Sequence, residues 1–115
     1  MKPLNTERAG REMLKWMDHI YADETLENAD QIRDRLNQNK LTPGIYLLTL
    51  SHNPGHLMEI LPAVSLKQSC VRELCPEIFG VAASKDSAME LSCRILKEVY
   101  DATGTFDIKN YLKNR

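Results

Sequence analysis

Cysteine is scarce in this chain. Cys70, Cys75 and Cys93 form an odd set, too sparse to staple a small fold through a disulfide framework. No long hydrophobic run is present either, so nothing approaches the roughly 20 apolar residues needed to cross a bilayer. The opening stretch Met1-Lys2-Pro3-Leu4-Asn5-Thr6-Glu7-Arg8 has no apolar segment of the secretory kind. Repeats and low-complexity tracts are missing as well. Charge of one sign is the last absence. The formal net charge is -1, and basic and acidic residues stay within one of each other in segments 1–43, 44–83 and 84–115. Phosphate-backbone binding needs a basic excess that no segment supplies. These absences point to a cytoplasmic protein that binds neither membrane nor nucleic acid.

What remains is an ordinary globular composition. Hydrophobic residues make up 43% and charged residues 27% of 115 residues, enough for one domain spanning 1–115 with its own core. The junction Leu41-Thr42-Pro43-Gly44 divides a charged, helix-patterned part, 1–43, from an apolar, strand-like part, 44–115. In the first part the spacing predicts a helix over 7–22, with Met13, Trp16 or Met17, Ile20 and Tyr21 as its apolar stripe. A second helix over 26–39 carries Leu26, Ala29, Ile32 and Leu36. The short connection implies an N-terminal helical hairpin.

The second part predicts a ββαβα module. Residues 45–51 read as a strand, 52–56 as a turn and 57–61 as a returning strand. Glu59 is the only formally charged residue between Ile45 and Leu66, and it sets the register. Pairing Leu48 with Ile60 and Thr49 with Glu59 keeps one face continuously apolar, whereas a slip of one residue spoils that separation. Ser65-Leu66-Lys67-Gln68 matches a capping box, which predicts a helix to about residue 74. Residues 77–83 are nearly uncharged, the pattern of a strand covered on both faces, with Gly80 small enough for a helix to approach. Ser84 or Asp86 caps a long helix ending at Gly104, with Ala88, Leu91, Ile95 and Val99 on its buried stripe and Met89, Leu96 and Tyr100 widening it. The tail, 106–112, docks as a last turn or two. The expected class is therefore α+β, a helical hairpin followed by a module built on a small mixed sheet. The last two main helices cover one face of that sheet and the hairpin covers the other.

Few residues point to chemistry. His52, His56, Cys70 and Cys75 are zinc-type ligands, but their spacing is wrong for a tetrahedral site, so no metal and no cofactor are expected. Glu59 is a lone carboxylate in an apolar strand, a candidate for a raised pKa if buried. Ser84 stands at a strand-to-helix edge, where backbone N–H groups attract anions, yet the surrounding residues lack GxGxxG or GxxxxGK[ST] spacing. Cys70 and Cys93 fall on helices without a nucleophile signature. His52, His56, Glu59 and Ser84 are thus the candidate ligand-binding residues of a small enzyme or binding protein. The preferred expectation is a non-enzymatic interaction or accessory protein acting as a homodimer, with Met13, Trp16 and Met17 at the interface.

Overall fold

The computed structural model describes residues 14–40, 42–53 and 55–114. Its elements are β1 (Trp16–Ala22), α1 (Ala29–Asn37), β2 (Tyr46–Thr49), β3 (Glu59–Pro62), a 3₁₀ segment (Ala63–Lys67), α2 (Ser69–Leu74), β4 (Ile78–Ala82), α3 (Lys85–Thr103) and α4 (Ile108–Lys113). Four strands form one mixed sheet in the order β1-β4-β2-β3. β1 runs parallel to β4, while β2 runs antiparallel to both β3 and β4.

The N-terminal helical hairpin is overturned. Residues 16–22 are a strand, and only the second expected helix is present, shortened to α1. Residues 1–13, Met13 among them, lie outside the described residues. The reason the pattern misleads is visible in the pairing of β1 with β4. Trp16 sits opposite Ile78, but Tyr21 sits opposite Gly80, so five steps on β1 match two on β4. The irregularity carries Asp18 and His19, both exposed. Apolar dyads on either side of such a bulge recur at about the spacing of a helical turn and imitate its stripe.

The hairpin of β2 and β3 has the expected register, with Leu48 opposite Ile60 and Thr49 opposite Glu59. All five residues of β4 are buried, as its charge-free sequence predicts for a central strand. Gly80 owes its small size to the neighbouring strand, not to a helix. A Cβ placed there would meet Leu48 Cδ1 at 2.8 Å.

Helices cover both faces of the sheet. One core gathers Met17, Leu48, Leu50 and Phe79 beneath α3 and α4, using the predicted stripe of Ala88, Leu91, Ile95 and Val99. The other gathers Leu47, Ile78 and Val81 against Ile32 and Leu36 of α1 and against Ala63, Leu66 and Cys75 around α2. α2 therefore joins α1 on one face and does not share a face with α3. Arg72 enforces this alliance. Its buried guanidinium donates to Leu36 O at 2.9 Å, which also accepts from Asn39 N, and to Asn37 O at 3.2 Å, so it binds the carbonyl end of α1. Ser65 does not open a helix as the capping box implied. It lies in the 3₁₀ segment and donates to Pro62 O, and α2 starts at Ser69. Ser84 does cap α3 by accepting from Ser87 N at 3.0 Å, and Gly104 ends that helix at φ 77°.

Candidate functional site

The carboxyl ends of the two parallel strands, β1 and β4, meet at Asp23. Its side chain is buried and held on both oxygens. Oδ1 accepts from Thr25 N and Thr25 Oγ1, and Oδ2 accepts from Ala83 N at 2.7 Å. Burial pushes the carboxyl up, but the hydrogen bonds from Thr25, Ala83 and Leu26 outweigh it and hold Asp23 below the ordinary carboxylate value. Beside it opens a cleft of about 580 Å³ lined by residues that include Asp23, Thr25, Ser87, Leu91, Cys93 and Arg94. In open, mostly parallel sheets the space outside the carboxyl ends of the strands is the usual place for a ligand, and the one parallel pair of this mixed sheet presents such an end. Ser84 stands at this end, with its oxygen committed to the helix cap.

The other end of the sheet carries the hairpin residues. Glu59 Oε2 accepts from Ser51 Oγ at 2.8 Å and lies 2.8 Å from His56 Nδ1. The hydrogen bond with His56, then that from Ser51, holds the Glu59 carboxyl below its ordinary value, against a small opposing desolvation. Both Ser51 and His56 bond the Glu59 carboxylate and not each other, so the only base beside the serine hydroxyl is a carboxylate of lowered basicity, a poor activator of a nucleophile. His52 is exposed and borders a recess of about 150 Å³ with Lys15, Ser51, Glu77 and Lys109.

Of the residues singled out in the sequence, the fold brings His56 and Glu59 together and keeps Ser84 apart from them. Thr49 pairs with Ile78 and Tyr46 with Ala82, so the hairpin turn and the Ser84 edge lie at opposite ends of β4, roughly 15 Å apart at the rise of a strand. Trp16 is half-buried, and its indole N–H donates to Asn37 Oδ1 at 2.7 Å beneath the guanidinium of Arg33. Met17 lies in the core under α3.

Asp23 is not among the candidate site residues of the sequence; its place before the second expected helix offers it, with Thr25 as the alternative, only as a cap. The stronger signal was an Asp two residues before a Thr at the end of an apolar run, the pattern of a side chain that closes its own turn. Cys75 is buried and its thiol is pushed up to about 11, which keeps it protonated, while Cys70 and Cys93 are exposed. Among the described residues, no three His, Cys, Asp or Glu side chains are grouped to hold a metal ion, and no helix is long and apolar enough to cross a membrane. No protein-family model, curated protein or solved structure matches this chain.

Proposed function

We propose that this chain is a non-enzymatic interaction protein that works as a homodimer. The observation that carries the reading is the set of large apolar side chains left at the surface, Leu74 most of all, with Met89, Tyr100 and Phe106 each about half exposed on or just beyond one helix. Contiguous apolar patches beyond a few hundred Å² are uncommon on a monomer, and a two-fold pair is the commonest way to cover one. The polar groups fit the same reading. Asp23 is committed to backbone N–H groups and Glu59 to its own hairpin, so neither is arranged as a general acid or base facing a substrate. Light scattering at micromolar concentration tests the proposal. A mass of twice the chain is expected, and a single species at 13.2 kDa across concentrations overturns it.

A second reading is a ligand-binding protein, and the cleft beside Asp23 favours it by its position and its volume of about 580 Å³. On that reading the site uses the Ser84 end of the sheet, without His52, His56 or Glu59. Amide shifts at Thr25 and Ser87 on titration with a small-molecule fragment library would support it, and an unresponsive cleft would remove it.

A further inference from the structure

Helix α3 carries two stripes. Ala88, Leu91, Ile95 and Val99 are buried against the sheet. Met89, Cys93, Leu96 and Tyr100 follow one another at steps of four, three and four, which places them on one face of a helix, turned outward from the buried stripe by roughly 120°. Met89 and Tyr100 are each 51% exposed, Cys93 is exposed and Leu96 half-buried. Phe106, 49% exposed, extends the stripe beyond Gly104 by stacking on Tyr100, with ring centroids 5.1 Å apart. Side chains of this size leave on the order of 300 Å² of apolar area in view when three of them are half exposed. Doubling that by a two-fold axis gives roughly 600 Å², and the flanks must supply the rest of the roughly 1,000 Å² that a specific interface has to clear.

The flanks of the stripe say what covers it. On one side lie Glu90 and Lys97, two turns apart, with Lys97 also in an exposed ion pair with Asp101 of its own helix at 3.1 Å, and on the other Ser92 and Thr103. When two copies of a helix pair antiparallel about a two-fold axis, like flanks meet; when they pair parallel, unlike flanks meet. Antiparallel pairing sets Met89 against the partner's Tyr100 and Cys93 against the partner's Leu96. It brings Glu90 within reach of the partner's Lys97, twice by symmetry. The charged flank is then complementary to itself.

Resting on the homodimer reading, we infer that the outer stripe of α3 is the dimer interface and that a second copy of this chain binds it antiparallel. In this arrangement the two Cys93 residues lie about 4.5 Å apart along the helix axis, so each dimer carries its own cross-linking reporter.

The test uses the full chain with Cys70→Ser, since buried Cys75 stays protonated. The shortest bismaleimide should yield a covalent dimer, abolished by adding Cys93→Ser. Tyr100→Asp, at an exposed position that far-UV circular dichroism will show still folds, should weaken dimerisation about thirtyfold. Glu90→Lys alone should weaken it roughly fivefold, and Glu90→Lys with Lys97→Glu should restore it. A dimer by light scattering in which Cys93 does not cross-link and Tyr100→Asp changes nothing overturns this interface and leaves the homodimer reading standing. A monomer at every concentration overturns both. A double reversal that fails to restore affinity overturns the antiparallel arrangement.

Discussion

Asp23 and Glu59 sit at opposite ends of the sheet, each with its carboxyl below the ordinary value. Asp23 is buried, and its hydrogen bonds to Ala83 N and Thr25 stitch the end of β1 to the end of β4 across 60 residues of sequence. Glu59 is 42% exposed and holds only neighbours in its own hairpin, Ser51 and His56. A buried carboxylate leaves unsatisfied backbone donors behind when it is removed, whereas water replaces the partners of an exposed one. The same direction of pKa shift therefore marks a lock at one end and an ornament of the hairpin at the other.

Removing the lock has the largest expected effect. Asp23→Ala should cost about 2–3 kcal/mol in urea unfolding, because the Ala83 and Thr25 amides lose their acceptor. A loss below about 0.5 kcal/mol, the scale of an exposed ion pair, would erase the contrast between the two ends. Acid sharpens the same comparison. A depressed folded pKa means the stabilisation is complete above the unfolded value, near 3.8 for Asp23, and is lost as pH falls through the folded value. The gap between wild type and Asp23→Ala should therefore be constant above about pH 5 and narrow below 3.8.

At the hairpin end, directly opposite Glu59, lies Thr49, whose buried Oγ1 has no hydrogen-bond partner in the structure. Thr49→Val keeps the shape and removes the desolvated hydroxyl, so it should raise stability by about 1 kcal/mol. A loss instead would show that the hydroxyl is satisfied in solution. The smallest effect is expected at the hairpin. Glu59→Gln should change stability by no more than ~0.5 kcal/mol, with the difference fading as pH falls below 4.5 through the depressed folded value. A cost comparable to that of Asp23→Ala would make Glu59 a second lock.

The parts of this fold that could be read from the sequence are those with an unambiguous period. α3 repeats its apolar residues cleanly between Ser84 and Gly104, and the β2–β3 register follows from one carboxylate, Glu59, in an otherwise uncharged stretch. β1 could not be read that way, because Trp16-Met17 and Ile20-Tyr21 straddle a bulge and mimic a helical turn. Nor could the place of α2, which depends on Arg72 reaching carbonyls of α1 some 35 residues earlier. At the sheet ends, the bond between His56 and Glu59 spans three residues and lies within reach of local reasoning. The bond between Asp23 and Ala83 exists only once β1 and β4 are parallel, which no local pattern announces.

The seam between β1 and α1 also supplies a measurement. Trp16 is the one tryptophan in the chain, and Asn37 and Arg33 of α1 hold its indole. Its fluorescence will report the docking of α1 on the sheet without any label. The outer stripe of α3 belongs to the other face, so dilution of a dimer formed there should leave the emission spectrum unchanged while unfolding shifts it. One intrinsic fluorophore thus separates loss of tertiary structure from loss of a partner.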